Sequence, residues 1–271
     1  MSARHEFAIT GQAATAASTV VRRAPSVPRR ALIRTGQFFF RYRDYLFPLL
    51  FVPVALGTRP SVFLDDPRAD AWLDVAGLLL VAAGLALRTL VVGLSHIRRG
   101  GRDKKVHAAA LLQRGLFAHS RNPLYVGNLT IVTGLVLVHN GRWMYIAVLP
   151  FFVLVYVSIV AAEESFLQKE FGDEYAEYVR RVPRFLPDLH GIGTTLSASA
   201  FDWKRVVRLE HATVFASCSA AILILAWEGI CATGYAAGRA RLCALALVWL
   251  AMLAAYTCIR IVKKRGAFSD S

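Results

Sequence analysis

Residues 121–164 read RNPLYVGNLTIVTGLVLVHNGRWMYIAVLPFFVLVYVSIVAAEE. Two apolar runs, 124–139 and 143–162, flank His139-Asn140-Gly141-Arg142. Asn-Gly supplies the positive φ that a short reversal needs, so the runs read as two helices joined by a tight turn. At roughly 1.5 Å rise per residue, each comes close to the ~30 Å hydrocarbon core of a bilayer. The chain goes out and comes back. Arg121-Asn122-Pro123 at one end and Glu163-Glu164 at the other therefore return to the same membrane face.

Working outward, further apolar runs fall at 45–64, 71–95, 210–233 and 239–260, which makes six expected spans. The first is weakened by Pro48 and Pro53, and the second carries Arg88. With 56% hydrophobic and 18% charged residues among 271, and a mean hydropathy of +0.45, the chain is too apolar for a soluble domain. The fold class expected is an all-α polytopic membrane bundle.

The excess of 32 Lys+Arg over 18 Asp+Glu has two readings. Nucleic-acid binding is one, and the positive-inside bias of membrane proteins is the other. Position decides. With the N-terminus inside, 26 of the cations fall in inside segments and 5 outside (Arg59, Arg68, Arg142, Arg239, Arg241), with Arg88 inside a span. Topology explains the charge without nucleic acid. Both termini are expected in the cytoplasm of an integral, multi-pass protein, with the inner membrane of a bacterium as its setting.

Three divisions follow. Residues 1–37, Arg-rich with a single acid, Glu6, read as a disordered basic tail rather than a secretory signal or a mitochondrial transit sequence. Residues 38–190 form the membrane core. Residues 191–271 form a linker and two more helices. The loop around Arg98-Arg99, Arg102 and Lys104-Lys105 is expected to rest on anionic headgroups. The four cysteines, Cys218, Cys231, Cys243 and Cys258, all fall in or beside the last two spans without a CxxC pair, and the seven histidines are scattered, so no metal is expected.

Past Ala162 the pattern changes. Leu167, Phe171, Tyr175, Tyr178 and Val182 keep one helical face apolar. Gly172-Asp173 looks like a helix stop followed by an N-cap. An interfacial segment near 163–182, broken into two short helices, is the expectation. Its acids, its tyrosines and the arginines at 121 and 184 suit a ligand with an amino acid end, a cation and a nucleoside.

These residues carry a resemblance. The elements Gly115-Leu116-Phe117, Arg121-Asn122-Pro123-Leu124-Tyr125-Val126-Gly127, Glu163-Glu164-Ser165-Phe166-Leu167, Phe171-Gly172-Asp173-Glu174-Tyr175-Ala176-Glu177-Tyr178 and Val182-Pro183-Arg184-Phe185-Leu186-Pro187 occur in order. Together, over about 71–187, they resemble the isoprenylcysteine carboxyl methyltransferase and phospholipid methyltransferase group of membrane enzymes. Asn122 departs from that pattern, which usually has histidine there; an amide cannot titrate.

The resemblance implies S-adenosylmethionine as methyl donor and a membrane lipid or isoprenoid-type acceptor. It implies a cofactor site of Phe117, Arg121, Asn122, Tyr125, Gly127, Glu163, Glu164, Tyr175 and Tyr178. Arg121, Glu163, Glu164 and Arg184 would serve catalysis, and Arg88 and Arg184 the acceptor. Read singly, Arg88 is expected to snorkel to the interface, and Tyr175 and Tyr178 fit an aromatic belt equally well. A nicotinamide-dependent reductase of an isoprenoid or sterol-like lipid is the alternative, and a non-enzymatic lipid carrier is third.

Overall fold

The computed structural model describes residues 27–94, 110–198 and 200–265. The basic loop expected on headgroups, 98–105, lies outside them. The order is α1 Val27–Gly57, α2 Pro67–Leu94, α3 Pro123–His139, α4 Leu149–Arg181, the short α5 Ile192–Ser197, and α6 Trp203–Lys264. Among the described residues there is no strand, as an all-α bundle requires. Three helical stretches are long and apolar enough to cross a membrane: Pro67–Leu94, Met144–Arg181 and Trp203–Lys264. Shorter apolar helices run over Tyr45–Gly57 and Pro123–His139.

Two sequence expectations for α1 need correction. The helix begins at Val27, ten residues inside the expected tail, and it runs unbroken through Pro48 and Pro53. Tertiary packing accounts for the second. Gly36 abuts the Ser158 backbone, Phe40 is buried with Val155 and Ile159, and Phe47 stacks on Phe152 at 4.7 Å. From Gly36 onward these contacts hold α1 against α4 and favour the helix over the break that the prolines would otherwise invite.

Helices α2 and α3 form the closest pair. Gly84 faces Gly127, where an added Cβ would lie 2.6 Å from the Gly127 carbonyl oxygen, and Gly77 faces Gly134 one heptad along. Small residues let two helix backbones touch. The turn after α3 is as expected: Asn140 takes the left-handed conformation at φ 47°. His139, fully buried, locks it by donating from Nε2 to the Ala55 carbonyl at 2.8 Å and accepting from the Gly141 N–H at 3.1 Å.

Gly172 (φ 50°, ψ −116°) kinks α4 where the sequence placed a stop. Two helices do meet there as expected, but the first is the span itself, continued to Phe171, and only the second, ending at Arg181, is short. Gly234 (φ 78°, ψ 164°) folds α6 into two antiparallel arms, 203–233 and 235–264. Trp249 Nε1 donates to Ser219 Oγ across the arms at 3.0 Å, and Phe215 stacks on Tyr256 at 4.5 Å. These arms are the last two expected spans.

Candidate active site

The site is framed by a strap. Residues 119–122, leading into α3, lie alongside 183–188, which leave α4. Arg121 N–H donates to the Pro183 carbonyl at 2.9 Å, and Asp188 N–H donates to the His119 carbonyl at 2.9 Å. Ser120 Oγ donates to the Phe185 carbonyl at 3.0 Å. Asn122 Nδ2 donates to the Arg184 carbonyl at 2.9 Å. His119 Nδ1 sits 2.6 Å from the Asp188 carbonyl, which can only accept, so that nitrogen carries the proton. Backbone groups that would otherwise be orphaned at two helix ends satisfy one another.

The strap aims two arginines at one acid. Arg184 grips Glu164 with both Nε (3.0 Å) and Nη2 (2.8 Å). Arg121 Nη1 lies 3.2 Å from Glu164 Oε1 and 3.5 Å from the Tyr175 hydroxyl. Arg121 Nε is buried without a hydrogen-bond partner. Tyr175 follows the Gly172 kink, beyond the crossing stretch. Burial first, then the Glu164 charge, pushes its phenol up to about 12, with Arg121 opposing. It stays protonated across the physiological range.

The neighbouring acid points elsewhere. Tyr125 donates its phenol proton to Glu163 Oε1 at 2.7 Å. Arg43 of α1 hydrogen-bonds the same phenol and bears electrostatically on Glu163. Deeper in the bundle, Arg88 donates from Nε and Nη2 to the two oxygens of Glu210, each at 2.8 Å, and from Nη1 to Asn128 Oδ1 at 2.6 Å. This corrects the snorkelling expectation. Arg88 turns inward because a carboxylate on the first arm of α6 balances its charge there.

A cavity of about 1630 Å³ joins these groups. Arg88, Phe117, Arg121, Asn122, Tyr125, Glu163, Glu164, Tyr175 and Tyr178 all line it. Two expected site residues do not. Gly127 packs against Gly84 and the aliphatic stem of Arg88, and Arg184 stands behind Glu164. Tyr178 donates to the Phe117 carbonyl at 2.7 Å and joins a small core with Tyr175 and Val182, flanked by Leu167 and Phe171. That is the apolar face read from the sequence. From the polar mouth the cavity runs inward past Tyr156 to Phe51, Phe152, Leu135, Ala220 and Trp249.

Arg43, Asn128 and Glu210 escaped the sequence reading. Arg43 is one of many cations near an expected terminus. Glu210 is a lone acid before an apolar run, and its partner lies 122 positions away. An acid at the head of an otherwise apolar span was the available signal for Glu210.

An all-α membrane bundle with charged pairs facing an internal cavity defines the class. Residues 73–174 match the model of the phospholipid methyltransferase family, a similarity in the stretch where most of the motifs lie. Over 145 residues the chain is 31% identical to protein-S-isoprenylcysteine O-methyltransferase of Homo sapiens, covering 51% of this chain and 50% of that one. The Rattus norvegicus protein of the same name is 30% identical over 141 residues, 50% of this chain and 48% of its own. The cobalt-zinc-cadmium resistance protein CzcN of Cupriavidus metallidurans is 30% identical over 130 residues, 48% of this chain and 58% of its own. The chain spans about half the length of the curated relatives it matches. No solved structure matches it. The reductase alternative gains no support from these names.

Proposed function

We propose that the protein transfers a methyl group from S-adenosylmethionine to the head of a membrane-embedded lipid or isoprenoid-type amphiphile, at the cytoplasmic face. The observation that carries this reading is the Arg121–Glu164–Arg184 cluster at the mouth of a cavity that continues into the apolar bundle. The family match over 73–174 supports the reaction class.

The residues present suit the donor. Arg121 has an unpartnered buried Nε, which a carboxylate would satisfy. Glu163 and Glu164 supply acceptors for an amine or a ribose hydroxyl. Phe117, Tyr175 and Tyr178 present aromatic surface to a cation. When bound, S-adenosylmethionine supplies an electrophilic methyl on a sulfonium. The protein's task is alignment and exclusion of water. Arg184 acts as a positioning residue, fixing Glu164 from behind. Asn122 spends its amide on the strap and takes no part in proton transfer. An acceptor that must lose a proton would give it to Glu163 or Glu164.

The cytoplasmic placement rests on the 26-to-5 division of cations. Cysteines introduced beside Arg68 and Arg142 should label only from the opposite side; labelling from the cytoplasm would overturn it. The activity is tested by asking which labelled cofactor the detergent-purified protein retains. Retention of S-adenosylmethionine is expected. Retention of a nicotinamide dinucleotide instead would establish the reductase, and retention of neither would leave a lipid carrier.

A further inference from the structure

The deep end of the cavity contains a charged pair that the methyl-donor reading does not use. Arg88 of α2 and Glu210 of α6 meet through two bonds of 2.8 Å, with side chains only 11% and 4% exposed. The remaining guanidinium nitrogen is taken by Asn128 at 2.6 Å and by the Leu124 carbonyl at 3.5 Å. All of these groups line the cavity, where it passes from its polar mouth to its apolar interior. Glu210 lies outside the matched segment 73–174, on a hairpin the family resemblance does not cover.

A buried arginine alone would draw an anion strongly. Paired in this way it presents almost no net charge, and an ionic head group placed beside it would lose its hydration without gaining a counter-charge. Of the other arginines that line the cavity, Arg121 pairs with Glu164, Arg43 bonds the Tyr125 phenol, and Arg41, on the α1 side, lies over the Tyr42 ring at 5.5 Å. Thr213 and Ser217 add hydroxyls to the same wall of α6.

Resting on the reading of the cavity as an acceptor chamber, we propose that Glu210 is a specificity-determining residue, neutralising Arg88 so that the amphiphile taken there has an uncharged, hydrogen-bonding head rather than an anionic one. The C-terminal hairpin is then part of the substrate site. The ion pair's packing role is real as well, since it joins α6 to α2. A packing role alone would not set which head group is taken.

The test uses the full-length protein in mixed micelles containing equal amounts of radiolabelled hexadecanol and hexadecyl sulfate. The ratio of the two retained on the protein is compared with their ratio in the micelles. Wild type should be enriched in the alcohol. Glu210→Gln frees the Arg88 charge and should shift the ratio toward the sulfate by roughly tenfold or more, the worth of one charge-assisted hydrogen bond. The double variant Arg88→Gln/Glu210→Gln, with no charge left, should return to the alcohol. Wild type enriched in the sulfate, or a folded Glu210→Gln with an unchanged ratio, overturns the proposal. Should Glu210→Gln not fold, the double variant decides, and enrichment of the sulfate there is equally fatal. S-adenosylmethionine retention is measured on the same samples. Its loss in wild type would sink the methyl-transfer reading while leaving the head-group result standing.

Discussion

At the mouth of the cavity Glu164 is shared by two arginines, while at its deep end Glu210 belongs to one. The residues of the mouth are 12%, 19% and 36% exposed for Arg121, Glu164 and Arg184, so water screens part of their charge. Arg88 and Glu210 are 11% and 4% exposed. The mouth is tied by backbone bonds between two connecting segments, whereas the inner pair joins the side chains of two helices, Arg88 near the end of α2 and Glu210 near the start of α6. The same ion-pair chemistry thus stands in two settings: a partly exposed polar rim, and a buried pair on the cavity wall whose charges balance.

If that contrast holds, breaking the deep pair should cost far more stability than breaking its outer counterpart. Arg88→Leu strands a buried carboxylate and is expected to lose about 3–5 kcal/mol. Arg184→Leu, at a partly exposed site, should lose about 1 kcal/mol or less. Thermal unfolding of the two variants in one detergent measures this, and equal losses would erase the distinction. Tyr125→Phe comes next. It removes the 2.7 Å hydrogen bond to Glu163 Oε1 and leaves a buried acceptor short, for about 1–3 kcal/mol in the same assay. Asn122→Ala loses one bond of the strap, for about 1 kcal/mol, and should loosen Arg184, seen as faster hydrogen exchange at 183–188.

The smallest effect is in pH. Tyr175 has a folded pKa raised from 10.0 to about 12. Its neutral phenol therefore contributes fully below pH 10 and loses that contribution as pH rises through about 12. Donor retention should carry an alkaline limb in that window which Tyr175→Phe removes, with no change near neutrality.

The mouth was legible in the sequence because its parts are local. Arg121 to Gly127 share one helix start, Glu163-Glu164 one helix end, and Gly172 announces its own kink through the residue type that tolerates positive φ. Asn140 is the same case. What could not be read was set by tertiary packing. The passage of α1 through Pro48 and Pro53 goes with its packing on α4, and the inward turn of Arg88 depends on Glu210, which nothing near residue 88 foretells. The motif pointed to Arg184, but its standing behind Glu164 rather than facing the cavity follows only from the path of the strap.

In the proposed function the Arg121–Glu164–Arg184 cluster holds the methyl donor. Calorimetric titration of S-adenosylhomocysteine into wild type and Glu164→Gln tests it most directly. Wild type should bind, and the variant should bind roughly 10- to 150-fold more weakly, the equivalent of a lost charge-assisted hydrogen bond. No binding to wild type, or the same affinity in both folded proteins, would contradict the account.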